Sequence, residues 1–284
     1  MKRPNWRQAL EAERPLLLPV AHDALSARLI ERAGFRAYSI GGFALVGSRH
    51  ALPDVGLVGL GEMSAGMRDI VAASGLPVLI DGDDGYGDVK NVTRTIRTYE
   101  EIGAAAILLE DQVAPKRCGH MAGKSVIPAD AMATKIRAAS AARQDGIFIV
   151  ARTDARAAHG LDEALRRAEL YLKAGADGIF IEAPETLGEL TRVGAEFRHV
   201  PQLANMLEGG RTPLLAAAEL FNLGFAMIAY PTTLIFRAVR TMEKALADLK
   251  AGRLSPAGEG VEFDAYKEIV GFRQWAEIEE RGAD

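Results

Sequence analysis

The chain has 284 residues, of which 49% are hydrophobic and 25% charged, with a formal net charge of −4. This composition fits a globular protein with a large core; it lacks the basic surplus of a nucleic-acid binder, and no apolar run approaches the roughly 20 residues of a membrane span. The lone Cys118 excludes an internal disulfide, and Met1-Lys2-Arg3-Pro4-Asn5-Trp6 is not backed by an apolar signal core, so a cytoplasmic location is expected.

Along the chain, short apolar runs alternate with helical patterns. The first run, 15–20, leads to His22-Asp23 and a helix over 23–33. The second, 35–40, ends in Gly41-Gly42. The third, 76–80, enters Asp81-Gly82-Asp83-Asp84-Gly85-Tyr86-Gly87, and a helix is predicted over 92–102. The fourth, 104–109, ends in Glu110-Asp111, then opens into Lys116-Arg117-Cys118-Gly119-His120 before a helix over 130–142. The fifth, 147–150, leads to Arg152-Thr153-Asp154 and a helix over 161–174. The sixth, 178–181, ends in Glu182; the seventh, 200–204, in Asn205; the eighth, 225–229, in Tyr230-Pro231.

The runs are often continuous rather than alternating, as in parallel strands buried on both faces. Glycine follows several helical stretches, at Gly34, Gly103 and Gly175. Eight strands, most followed by a helix, is the count of a (β/α)8 TIM-type barrel of class α/β; a doubly wound open sheet is the other candidate. No linker divides the chain, so residues 1–284 are expected to form one barrel domain, with 242–284 a helical extension broken near Ser255-Pro256-Ala257-Gly258.

In a barrel, the C-terminal strand ends carry the chemistry. Two cations and an imidazole flank Cys118, and nearby positive charge favours the thiolate; an ordinary exposed loop is the alternative. Asp81 and Asp83, two apart, point the same way if the strand continues through them. Clustered oxygen ligands suit a hard cation such as Mg²⁺, which takes one or two carboxylates and keeps several waters. Arg152 suits bidentate binding of a carboxylate or phosphate, and is compatible with a salt bridge to Asp154 or Glu182. Asn205 and Thr212 flank a glycine-broken loop; they either hold substrate oxygens or cap the next helix. His22 and His159 read as helix-start or surface histidines.

The segments LPD (52–54), DGDDGYG (81–87), LEDQVAPKRCGHMAGK (109–124), ARTDA (151–155), IEA (181–183) and NMLEGGRTP (205–213) resemble the isocitrate lyase and phosphoenolpyruvate mutase superfamily. Within it the chain is similar to the 2-methylisocitrate lyase branch, which includes dimethylmalate lyases and carboxyphosphonoenolpyruvate mutases. The resemblance implies a barrel that binds a small 2-oxo or 2-hydroxy carboxylate with Mg²⁺ (or Mn²⁺). It also implies a homotetramer, a dimer of dimers, whose C-terminal helices exchange between subunits.

By the same resemblance, Asp83 is the direct metal ligand, with Asp54, Asp81 and Glu110 around it through water. Arg152 and the Gly41-Gly42 turn hold the substrate carboxylate, and Tyr38 lies near the substrate hydroxyl. Cys118 is the general acid that protonates the carbanion left by carbon–carbon cleavage, and Lys116, Arg117, Gly119 and His120 share its loop. Glu182, Asn205 and Thr212 line the pocket. The implied reaction cleaves a branched 2-hydroxy di- or tricarboxylate to a 2-oxo acid and a succinate-like acid. The alternatives are a phosphonomutase, an oxaloacetate decarboxylase or hydrolase, and a barrel that binds an oxo acid without turning it over. Three positions depart from the branch. Ile40 replaces a serine or threonine, the stretch from Gly42 to Pro53 is one residue longer, and Met121 replaces an arginine, which argues against methylisocitrate as the substrate.

Overall fold

A computed structural model describes residues 5–117, 123–254 and 258–282. Its strands are β1 (Leu16–Pro19), β2 (Tyr38–Ile40), β3 (Val78–Asp81), β4 (Ala106–Glu110), β5 (Phe148–Thr153), β6 (Gly178–Ile181), β7 (Leu203–Asn205) and β8 (Met227–Tyr230). The first ten helices are α1 (Trp6–Ala12), α2 (Ala24–Arg32), α3 (Gly42–His50), α4 (Leu60–Ala72), α5 (Val89–Ile102), α6 (Ala129–Ala142), α7 (Ala155–His159), α8 (Leu161–Lys173), α9 (Leu187–Glu196) and α10 (Ala217–Leu223). The chain divides into two compact units after Leu234. Helix α11 (Thr233–Lys250) starts in the first, and α12 (Phe263–Ile269) and α13 (Phe272–Gly282) belong to the second.

All strand pairs are parallel, in the orders β1-β8-β7 and β2-β3-β4-β5-β6. Parallel bridges Val20–Ser39 and Ile179–Gln202 join the two groups at both ends. The strand order therefore runs in a cycle from β1 to β8, the order of a (β/α)8 barrel.

The strands read as unbroken apolar runs because both faces are buried. Leu16, Leu18, Leu79, Leu108, Phe148, Val150 and Phe180 form one interior cluster, which Trp6 of α1 joins. The alternating residues Val78, Ile80, Ile107, Leu109 and Ile149 pack instead with Ile96, Tyr99, Met132 and Ile136 of the surrounding helices. Helix ends follow local chemistry. The Asp88 side chain accepts from Lys90 N and Asn91 N at the start of α5, and Gly103 ends it with φ 96°.

In the second unit, Leu246, Leu254, Val261, Phe263, Phe272 and Trp275 are all exposed, Phe263 at 78% and Trp275 at 69%. Such a run of apolar side chains is unusual on a free surface. Among the described residues, no helix is long and apolar enough to cross a membrane.

Candidate active site

The C-terminal strand ends surround a cavity lined by Ser39, Ile40, Gly41, Gly42, Phe43, Asp54, Asp81, Glu110, Lys116, Arg117, Arg152, Glu182 and Asn205. Strand register sets much of this. Glu110 lies directly opposite Arg152 in the β4–β5 pair, so the carboxylate and the guanidinium leave the sheet side by side.

Asp83 reaches the site through a turn. Strand β3 stops at Asp81, and Asp83 takes φ 47°, in the left-handed region. The turn is pinned to β4 by Gly82 N donating to Leu108 O (2.8 Å) and Glu110 N to Asp83 O (2.9 Å). A Cβ on Gly82 would lie 2.8 Å from that same Leu108 oxygen, so glycine is required there. Asp81 Oδ1 accepts from Asp83 N and Oδ2 from Gly42 N, both at 3.1 Å. Gly42 opens α3, and a Cβ there would stand 3.2 Å from Lys116 Nζ and 3.4 Å from both Asp54 and Asp81. The glycine pair thus lets a helix start approach the carboxylates.

Lys116 Nζ is the cation among these acids, 2.8 Å from Asp54 and 2.5 Å from Asp83. One ammonium faces several buried carboxylates. Burial pushes Asp83 up to about 7, against the pull of Lys116 and with the help of Asp81 and Asp54. Glu110 is held well above the usual carboxylate range by burial, which Arg152 only partly offsets. Burial works against the Lys116 charge, but the surrounding carboxylates overcome it and hold the amine well above its ordinary value.

Glu110 Oε1 is buried without a hydrogen-bond partner among the described residues. A buried surplus of oxygen donors is the environment a hard cation relieves. Among the described residues no three His, Cys, Asp or Glu side chains converge on one point.

Arg152 forms the opposite wall. Its Nε and Nη2 fork onto Asp154 (2.8 and 3.1 Å), Nε also faces Glu110 (3.3 Å), and Nη2 faces Glu182 (3.1 Å). The guanidinium lies 5.4 Å from the Phe180 ring centre.

Behind it, Asp111 accepts from Thr153 Oγ1 (2.7 Å), Arg167 Nη1 (3.0 Å), Tyr171 OH (2.7 Å) and the Asp154 amide (2.9 Å). Asp111→Ala would remove the buried acceptor of Thr153, Tyr171 and the Asp154 amide, and would leave Arg167 only Glu163 as a carboxylate partner among the described residues. It is expected to destabilise the fold by about 3–5 kcal/mol, measured by urea unfolding; a loss under about 1 kcal/mol, as for a surface pair, would contradict this account.

Of the residues singled out from sequence, Asp54, Asp81, Glu110, Lys116, Arg117, Arg152, Glu182, Asn205, Gly41 and Gly42 line one cavity, with Asp83 in contact with Lys116. Tyr38 is fully buried in the core at the start of β2 and does not line it; its neighbours Ser39 and Ile40 do. Thr212 is buried in the segment after β7, also outside the lining. Cys118, Gly119 and His120 lie outside the described residues. Sequence reading assigned no role to Lys124, whose Nζ sits 2.6 Å from Asp154 with a side chain only 1% exposed. Its sole signal was a lysine closing the 109–124 motif.

The phosphoenolpyruvate phosphomutase family matches residues 7–250. The chain belongs to the phosphoenolpyruvate mutase/isocitrate lyase superfamily of enzymes. It is 43% identical to a 2,3-dimethylmalate lyase of Eubacterium barkeri over 97% of this chain and 96% of that one. It is 43% identical to a 2-methylisocitrate lyase of Bacillus subtilis, covering 87% and 81%. It is 38% identical to a chloroplastic carboxyvinyl-carboxyphosphonate phosphorylmutase of Arabidopsis thaliana, covering 98% and 84%.

Crystal structures of the superfamily superpose closely. A 2,3-dimethylmalate lyase does so with a TM-score of 0.91 at 34% identity, covering 97% of this chain and 93% of that one. A phosphonopyruvate hydrolase complexed with oxalate and Mg²⁺ does so with a TM-score of 0.87 at 29% identity, covering 98% of each. These relatives include lyases and a mutase, and the fold is the expected α/β barrel type.

Proposed function

We propose that this protein is a Mg²⁺-dependent carbon–carbon lyase acting on a small branched 2-hydroxy di- or tricarboxylate. The observation that carries the reading is the pairing, in one barrel-mouth cavity, of a carboxylate surplus (Asp54, Asp81 and Glu110, with Asp83 on the cavity's Lys116) with the guanidinium of Arg152. Similarity to a 2,3-dimethylmalate lyase along nearly the whole chain supports it.

In this proposal, Asp83 would hold Mg²⁺ (or Mn²⁺), with Asp54, Asp81 and Glu110 as the carboxylates around it. The bound cation supplies charge neutralisation where the hydroxyl becomes an oxyanion. Arg152, with the Gly41-Gly42 turn, orients the substrate carboxylate. Glu182, in the cavity wall, accepts the hydroxyl proton, and Tyr38, one residue before Ser39, shapes the surroundings of that hydroxyl. Asn205, in the cavity lining, holds a further substrate oxygen, and Thr212 supports the segment that follows it. The bond between the hydroxyl carbon and its neighbour breaks, giving a 2-oxo acid and a carbanion. Cys118 protonates that carbanion, while Lys116, Arg117, Gly119 and His120 accompany it on the loop.

The reading is tested with a panel of 2-hydroxy acids. Release of pyruvate or glyoxylate is expected. A new carbon–phosphorus bond made from a carboxyphosphonate ester, with no oxo acid from any hydroxy acid, is the mutase outcome that the 38% identical phosphorylmutase raises.

The proposal extends to assembly and place. The chain acts as a single barrel domain, 1–284, in the cytoplasm, and residues 242–284 pack on a partner subunit in a homotetramer. The exposed apolar residues from Leu246 to Trp275 support this, because a subunit interface would bury them. Light scattering is expected to report a tetramer; a stable monomer at micromolar concentration would contradict it.

A further inference from the structure

Arg152 is held by more than its own carboxylates. Its fork onto Asp154 fixes the guanidinium plane, and Lys124 Nζ donates at 2.6 Å to the same Asp154 Oδ1 that accepts from Arg152 Nη2. Asp154 is completely buried, and Lys124 and Arg152 are 1% and 10% exposed. The Asp154 backbone amide is anchored on Asp111. Burial pushes the Asp154 carboxyl up, but Arg152 and Lys124 overcome it and hold the group below the usual carboxylate range.

Charge explains why a second cation is useful. Arg152 faces Glu110, Asp154 and Glu182. Among the described residues Lys124 and Arg152 share Asp154, so removing Lys124 would leave more of that carboxylate's charge to Arg152. A guanidinium claimed by three buried carboxylates has little attraction left for an anionic substrate.

We propose that Lys124 and Asp154 are positioning residues that clamp Arg152 and preserve its capacity to bind the substrate carboxylate. Lys124 shares the charge of Asp154 and sets its orientation, and Asp154 in turn sets the guanidinium plane. Neither residue touches substrate in this scheme, and both act through Arg152. The inference rests on the reading of Arg152 as the carboxylate-binding group.

The test uses oxalate binding by calorimetry to the full-length Mg²⁺-loaded protein. Lys124→Met and Arg152→Lys are each expected to weaken oxalate by about tenfold or more in the folded protein, the size of one misaligned charge-assisted hydrogen bond. Lys124→Arg is expected to restore affinity to within about threefold, because it keeps the charge and the donor. The double variant Lys124→Met/Arg152→Lys should lose clearly less than the product of the two single effects, since both act on one group.

Oxalate affinity within about twofold of wild type in Lys124→Met, beside a weakened Arg152→Lys, would overturn the clamp and leave the carboxylate site standing. Strict multiplicativity in the double variant, or no rescue by arginine, would also overturn it. An unchanged Arg152→Lys would remove both the carboxylate site and the clamp built on it. Should Lys124→Met not fold, Lys124→Gln, which keeps the stem and one donor, is read by the same criteria.

Discussion

Replacing Cys118 with serine is expected to lower oxo-acid release by about 10²–10⁴-fold, the span that general acid catalysis contributes. A departing carbanion needs a proton at once, and a serine hydroxyl is a far weaker acid than a thiol. The structure adds a point about the neighbourhood. Lys116, two residues before the cysteine, directs its ammonium into Asp54 and Asp83. Turnover by Cys118→Ser within a few-fold of wild type, measured beside wild type on the same hydroxy acid, would remove the cysteine from the mechanism.

Metal removal is expected to abolish turnover, with Mg²⁺ or Mn²⁺ restoring it. Asp83→Ala should cost about a hundredfold or more, because a bound cation contributes several kcal/mol at the oxyanion. Asp84→Ala should stay within a few-fold. Its neighbour's geometry makes the contrast sharp. Asp83 touches Lys116 at the cavity, whereas the Asp84 side chain accepts from Tyr86 N and faces Lys135 at 3.5 Å. Full activity after exhaustive chelation, or equal losses in the two variants, would contradict the metal assignment.

The barrel was legible because its strands are buried on both faces. Each predicted run overlaps an observed strand, from Leu16–Pro19 to Met227–Tyr230, since continuous apolar sequence of that length between helical patterns has few other uses. Long amphipathic helices such as α5, α6 and α8 were equally readable. Helices α3 and α4 were not, because glycines at Gly42, Gly47, Gly61 and Gly66 blur the helical pattern. α1 is short, and only the burial of Trp6 in the barrel interior gives it its place.

The site was legible as chemical types at strand ends and less so as geometry. Strand alternation suggested that Asp81 and Asp83 share a face. The strand ends at Asp81, and a left-handed turn brings Asp83 to Lys116 instead. The ion pairs Lys116–Asp54 and Lys124–Asp154 join residues 62 and 30 positions apart, and no local pattern reports such contacts. The same limit applied to Asp111, which looked like a second acid at the cavity and proves to be an internal anchor for Arg167 and Asp154.

The most direct test is product analysis of the Mg²⁺-loaded wild-type enzyme with 2,3-dimethylmalate. Cleavage between the hydroxyl-bearing carbon and its neighbour gives pyruvate from one half and propionate from the other. Equimolar appearance of the two is the predicted result. No pyruvate from this acid, and no oxo acid from any other hydroxy acid tried, in a preparation that still binds oxalate, would contradict a carbon–carbon lyase.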